Sequence, residues 1–186
     1  MKIIGILALQ GDFDAHARML QQLSCAYQLV RTAKELAPVD GLIIPGGESS
    51  TLLKLLNEEL IAEIKKMPEA KKPIFGTCSG AILLAKEVLN PTQNSLGLVD
   101  ITVERNSYGR QTESHIQQGS TILQKEPLEM VFIRAPRIKR VGQNVKVIAS
   151  CNNEPVCVQQ NNCLLATFHP ELTTSLTLHH YFLSHF

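Results

Sequence analysis

Residues 73–84 read Pro73-Ile74-Phe75-Gly76-Thr77-Cys78-Ser79-Gly80-Ala81-Ile82-Leu83-Leu84. The stretch begins as the short apolar run of a buried strand and continues from Ser79 as an apolar helix, so the chain turns sharply at Cys78. Strand-to-helix units of this kind build parallel sheets covered by helices. Gly76-Thr77-Cys78-Ser79-Gly80 also has the form glycine, any residue, nucleophile, any residue, glycine. In such an elbow the nucleophile is held above the sheet in a strained conformation. Small neighbours are needed because other backbone passes close by. The helix starting at Ser79 aims free N–H groups and its positive end at the sulfur, which favours thiolate and can hold an oxyanion. A buried packing thiol is the usual fate of a free cysteine, and it needs no such frame.

On the N-terminal side of this turn the pattern alternates. Strands are expected over 3–9, 26–30, 41–44 and 73–75, and helices over 12–23 and 49–67, with the helix after Cys78 running to about residue 89. The later half is richer in strands, expected over 99–104, 130–133, 145–149, 155–158 and 164–168, before a last helix over 175–186. The pattern predicts one domain over 1–186, a three-layer α/β/α sandwich with a mostly parallel central sheet and an antiparallel extension. Ligands of such sheets sit at the carboxyl ends of the strands. That puts the loops 45–50, 76–80 and 168–173 on one rim.

Composition narrows the function. A chain of 186 residues with 44% hydrophobic content buries a substantial core, and a net charge of +1 gives no global field for nucleic acid or membrane surfaces. The first residues, MKIIGILALQGD, form an apolar run broken by Gly5 and lack a small-residue cleavage site, so a secretory signal is not expected. No apolar stretch approaches the ~20 residues of a membrane span. A cytoplasmic protein is expected, and its five cysteines then read as reduced thiols.

Thiolate chemistry needs a base and a group to orient it. Phe168-His169-Pro170-Glu171-Leu172 follows an apolar strand. Proline disfavours helix at His169, and with Pro170 also extended, His169 and Glu171 project to one side. Glu171 then holds one imidazole nitrogen while the other faces Cys78. A surface histidine near a helix start would show the same five residues. Pro45-Gly46-Gly47-Glu48-Ser49-Ser50 lies at another strand-to-helix junction, where paired glycines let backbone N–H groups turn inward and Ser49 or Ser50 caps the helix. It lacks the lysine of a phosphate-binding P-loop.

Through LALQGDFDAH, DGLIIPGGESS, PIFGTCSGAILLA, DITVERNSYGRQ, FIRAP and ATFHPEL, the sequence resembles class I glutamine amidotransferase domains, whose fold is flavodoxin-like. Within them it is most similar to the glutaminase subunits of pyridoxal 5′-phosphate synthase. The resemblance implies Cys78 as nucleophile, His169 as general base and acid, and Glu171 as its orienting partner. It implies an oxyanion hole from the N–H groups of Gly47 and Ser79. The L-glutamine site would be formed by Gly47, Glu48, Ser49, Arg105, Ile133 and Arg134. An arginine or inward backbone groups suit the charged ends of glutamine, although charge pattern alone would make Arg105 and Arg134 structural ion-pair partners. Hydrolysis would need no cofactor and no metal. The implied partner is the synthase subunit, which uses the ammonia to make pyridoxal 5′-phosphate, in a large hetero-oligomer. Ser79, Ala81, Arg137 and Thr173-Thr174 depart from the family's usual residues.

Three competing readings are weaker. A peptidase or deglycase-like elbow-cysteine hydrolase explains GTCSG but not PGGES together with ERNSYGRQ. The basic run Arg134, Arg137, Lys139 and Arg140 reads as a solvated loop, so nucleic-acid binding is not expected. Cys151, Cys157 and Cys163 lack the paired spacing of structural zinc sites, and Cys157 and Cys163 fit strand interiors. His179 and His180 are expected on the surface, while His16 and His115 carry no recognisable motif.

Overall fold

Alternate residues of the short apolar strands serve two different cores. The computed structural model describes residues 2–105 and 115–185. In the first part of the chain, strands β1 (Ile3–Leu7), β2 (Ala26–Val30), β3 (Gly41–Ile44) and β4 (Ile74–Thr77) alternate with helices α1 (Phe13–Gln22), α2 (Ala33–Leu36), α3 (Ser49–Leu55), α4 (Glu58–Lys66) and α5 (Ser79–Leu84). Ile43 packs on one side of the sheet, and Leu42 and Ile44 on the other. Such strands, buried on both faces, read as unbroken apolar runs. One core takes Leu20 of α1 and Phe75 of β4, and the opposite core takes Leu52, Leu60, Ile64 and Leu83 from α3, α4 and α5.

The remaining elements are β5 (Ala85–Leu89), β6 (Val99–Glu104), β7 (His115–Thr121), β8 (Leu128–Phe132), β9 (Arg137–Val141), β10 (Lys146–Cys151), β11 (Glu154–Gln160), β12 (Cys163–Ala166), a 3₁₀ turn (Pro170–Leu172) and α6 (Thr177–Leu183). The main sheet has the order β2-β1-β3-β4-β12-β11-β10-β7-β8, and β5-β6-β9 form a smaller sheet. Strands β2, β1, β3, β4 and β12 are parallel, whereas β12 through β8 pair antiparallel. The expected three-layer α/β/α fold is present with a parallel centre and a long antiparallel extension. Strand β12 brings the chain back beside β4, pairing Ala166 with Thr77. That pairing sets the residues after β12 beside the elbow.

Several element boundaries differ from expectation for local reasons. The helix expected over 49–67 is two helices: Leu56 is extended and Asn57 caps α4 by accepting from the Leu60 N–H at 2.8 Å. The apolar spacing runs across the break because both helices face one core. Helix α5 stops at Leu84, where Ala85 turns extended into β5, and the N–H groups of Leu96 and Leu98 take the carbonyls of Leu83 and Leu84. Strands β5, β7 and β9 and helix α2 were not expected. Arg137, Lys139 and Arg140 of the basic run lie in β9, not in a solvated loop: Arg137 pairs with Glu154 at 3.2 Å and Arg140 with Asp100 at 2.7 Å. The motif residues Asn106 to Gln111 lie outside the described residues. Among the described residues, no helix is long and apolar enough to cross a membrane.

Candidate active site

Cys78 sits between β4 and α5 with φ 45° and ψ −101°. A non-glycine residue there costs on the order of 1–3 kcal/mol and persists only when its surroundings fix it. They do. The Cys78 N–H donates to the Ala166 carbonyl at 2.9 Å, its carbonyl accepts from the Ile82 N–H at 3.1 Å, and the Ser79 hydroxyl donates to the Pro45 carbonyl at 3.1 Å. The glycine frame is steric as well: any Cβ at Gly80 would collide with the Ile44 carbonyl.

His169 follows β12, and its N–H donates to the Val131 carbonyl of β8 at 2.8 Å. The residues after it are not extended as expected. Pro170–Leu172 form the 3₁₀ turn, which curls Glu171 back so that Oε1 lies 2.8 Å from His169 Nδ1. The contact expected from alternation is thus made by a turn, for which proline at the first position is well suited. Burial by itself would lower the imidazole pKa. Hydrogen bonds to Cys78 and Glu171, with the charge of both, outweigh it and push His169 up to about 10. Both partners favour the charged form of the ring. Burial pushes the Glu171 carboxyl up, against the opposing hydrogen bond from His169.

Cys78 and His169 open onto a cavity of about 210 Å³. Gly47, Glu48 and Ser49 from the loop after β3 line it, with Arg105 from the end of β6 and Ile133 and Arg134 from the loop after β8. Every residue implied for the glutamine site therefore lines one space. Asp12 and Ile82 complete the lining and were missed. Asp12 lies just past β1, on the carboxyl rim already marked as the ligand edge, and that position was the available signal. Its Oδ2 lies 3.8 Å from His169 Nδ1.

The Pro45–Ser50 segment carries another correction. Glu48, not a serine, caps α3: its carboxylate accepts from the Ser50 and Thr51 N–H groups at 3.2 and 2.7 Å. Hydrogen bonding, first from the Ser50 hydroxyl and then from Thr51, holds this carboxyl at about 2 despite some burial. Arg105 reaches Glu48 at 3.4 Å and Gln93 Oε1 at 2.6 Å, and the Ser49 hydroxyl donates to the same oxygen at 3.0 Å. Gln93 thus ties Arg105 to Ser49, a link invisible in a sequence where Ser49 and Gln93 are 44 positions apart. The Gly46 carbonyl accepts from the Asp12 N–H at 3.1 Å, and Glu48 N–H donates to Gln10 Oε1 at 3.0 Å, fastening this loop to the β1–α1 turn. Gly46 itself lies against His169 and Cys78: an added Cβ would strike His169 Cε1 and come within 2.8 Å of Nδ1.

Two histidines without a motif lie behind the site. His179, expected on the surface, is 0% exposed, because the short α6 turns this residue toward Phe75. His16 is also 0% exposed, with Nδ1 2.9 Å from His179 Nε2, Nε2 3.1 Å from Thr77 Oγ1, and Nε2 3.5 Å from Glu171 Oε2. Among the described residues, the side chains grouped closely enough to share a cation are Asp12, His169 and Glu171, with ligand atoms within 4.8 Å. A cation there would compete with the His169–Glu171 hydrogen bond. Cys151, Cys157 and Cys163 are buried strand residues outside that group.

The sequence profile of the SNO glutamine amidotransferase family matches residues 6–186. A protein of Koribacter versatilis named pyridoxal 5′-phosphate synthase subunit PdxT is 52% identical, over 97% of this chain and 93% of that one. A protein of the same name from Thermotoga maritima is 45% identical, over 97% of each chain. Among solved structures, one described as a glutamine amidotransferase superposes with a TM-score of 0.91 at 43% identity, covering 98% of this chain and 97% of that one. A putative GMP synthase protein from Thermoplasma acidophilum shares the fold, with a TM-score of 0.73 at 17% identity, covering 100% and 94%.

Proposed function

The chain belongs to the SNO glutamine amidotransferase family, and from that membership we propose that it is the glutaminase subunit of a pyridoxal 5′-phosphate synthase. It hydrolyses L-glutamine to L-glutamate and ammonia. The observation that carries the reading is the strained Cys78 facing an imidazole whose far nitrogen is held by Glu171, at the mouth of a cavity lined by Arg105 and Arg134.

In the proposed mechanism the Cys78 thiolate attacks the side-chain amide carbon of glutamine. The carbonyl electrons move onto oxygen, where the N–H groups of Gly47 and Ser79 stabilise them. His169, as imidazolium, gives its proton to the amide nitrogen, the C–N bond breaks and ammonia leaves. A γ-glutamyl thioester remains on Cys78. Water then attacks the thioester carbon while His169 takes its proton, and the C–S bond breaks to release glutamate and restore the thiolate. Glu171 keeps Nε2 of His169 directed at these events and stabilises its positive charge. Arg105 and Arg134 bind the charged end of glutamine, with Glu48, Ser49 and the Ile133 backbone around it.

Ammonia is taken up by a synthase partner in a larger hetero-oligomer, in the cytoplasm, without involvement of nucleic acid. Among the described residues, no feature favours the peptidase or deglycase alternative over glutamine hydrolysis. A substrate panel tests the reading. Glutamine should yield glutamate and ammonia in equal amounts in the presence of the synthase partner, with no turnover of peptides or glyoxals. Turnover of those substrates with none of glutamine would overturn it.

A further inference from the structure

Glu171 has two oxygens, and the mechanism uses one. Oε1 holds His169. Oε2 is fully buried and has no hydrogen-bond partner, and His16 Nε2 approaches it to 3.5 Å. A carboxylate oxygen kept from water with no donor is strongly unfavourable, so whatever faces it matters energetically. His16 is what faces it. We propose that His16 is a positioning residue for glutamine hydrolysis, presenting its Nε2–H to Glu171 Oε2 so that the carboxylate holds His169 in register with Cys78. The proposal rests on the reading of Glu171 as the group that orients His169.

The contacts around His16 select its protonation and tautomer. Four elements face it: β4 through Thr77 and Phe75, the 3₁₀ turn through Glu171, the preceding residue His169, and α6 through His179. Of these, Glu171, His169 and His179 titrate, and Asp12 lies beyond His169. Burial first, then the neighbouring imidazoles of His179 and His169, drive the His16 pKa well below its ordinary value, so the ring is neutral. A neutral ring has one N–H. With that hydrogen on Nε2, the nitrogen can donate to Thr77 Oγ1 at 3.1 Å and stands 3.5 Å from Glu171 Oε2, and Nδ1 accepts from the Nε2–H of His179. The opposite tautomer would set the Nε2 lone pair against a carboxylate and leave a buried N–H on His179 Nδ1, which has no partner. Orphaned donors are the rarer and costlier defect. Sequence position reinforces the role, because Thr77 precedes the nucleophile and so couples the same imidazole to the elbow.

Variants of His16 in the full chain with its synthase partner test this. His16→Leu removes the donor, and His16→Gln keeps an N–H at similar reach. His16→Leu should lower kcat for glutamine at least tenfold with KM within about twofold. It should also move the acid limb of the kcat profile to higher pH, since Glu171 loses a group that favours its ionised form. His16→Gln should recover most of the rate and the limb. A folded His16→Leu with wild-type kcat and an unmoved acid limb overturns the proposal, as does His16→Gln failing equally while folded. Should both variants fail to fold, nitrogen NMR of histidine-labelled wild-type protein decides. A neutral Nε2–H ring at His16 whose signals move in Glu171→Gln supports the proposal, and an Nδ1–H tautomer overturns it. Glu171→Gln serves as the control on the underlying reading. If it turns over glutamine at the wild-type rate, Glu171 orients nothing, and both readings fall together at Glu171, not at His16.

Discussion

Glu171 Oε1 lies 2.8 Å from His169 Nδ1, and the pair is buried, with the two residues 5% and 4% exposed. The carboxylate thereby fixes which imidazole nitrogen faces the elbow and stabilises the ring when it is charged. His169→Ala and Cys78→Ala should each lower kcat by about 10² or more, and the double variant should be little worse, since the proposed mechanism uses the two as a unit. Glu171→Gln keeps a hydrogen-bonding side chain and loses the charge, so its defect should be smaller than that of His169→Ala. Steady-state glutaminase assays check the order, and near-normal turnover by His169→Ala contradicts it.

Thiol reactivity should be confined to one position. Burial pushes Cys163 up to about 12 and Cys157 higher still, and it also raises Cys25 and Cys151. Thiolate is the reactive form, so these four stay inert near neutral pH. A glutamine-mimicking electrophile should add a single mass, located at Cys78 by peptide mapping. Modification chiefly at Cys25 or Cys151 would remove Cys78 from its assigned role.

Gly46 leaves the room that His169 and Cys78 occupy. Gly46→Ala places a methyl group against His169 Cε1 and within 3.2 Å of Cys78 Cβ. The imidazole must shift, and misplacement of this order costs about 10² in rate. The expected result is a folded protein with glutamine turnover and electrophile labelling both slowed. Unchanged labelling kinetics would mean that the loop yields instead of the ring.

Acid should destabilise the fold through its buried imidazoles. Burial holds His179 down to about 3, and His16 is also lowered. For groups with depressed folded pKa values, the stability is complete above the unfolded value of about 6.5 and is lost as pH falls below it, by about 1.4 kcal/mol per pH unit for each proton. Glu171, with a raised pKa, acts in the opposite sense and offsets part of this slope. His169, raised to about 10, contributes stability below its unfolded pKa that is lost as pH rises through about 10. Thermal unfolding should therefore show Tm falling below pH 6.5, with a shallower fall in His179→Phe. Equal slopes in the two proteins would show that His179 is not the titrating group.

The parts of this account legible in the sequence are those written in local steric rules. Glycines around Cys78, an apolar strand before it and proline after His169 state their geometry within a few residues. The loops they define fall on one rim because parallel strands share a carboxyl edge. What escaped was carried by contacts between distant segments. His16 and His179 are 163 positions apart, and neither has neighbours that mark it as buried. The break at Leu56-Asn57 hid because α3 and α4 keep the apolar phase of one helix. Glu48 looked like a substrate ligand and is also a helix cap, since a side chain that accepts from two N–H groups leaves no mark in composition. Strand β9 hid behind its charges, which are paired across strands with Asp100, Glu104 and Glu154.

The most direct measurement is glutamate release from glutamine by the wild-type chain and by Cys78→Ser, each with its synthase partner at saturation. The account predicts steady turnover by the wild type and a loss of at least about 10³ in Cys78→Ser, with folding retained, because the serine hydroxyl is far less ionised than the thiol and the neighbouring groups remain in place. Glutamate release by folded Cys78→Ser at a rate near that of the wild type would contradict it.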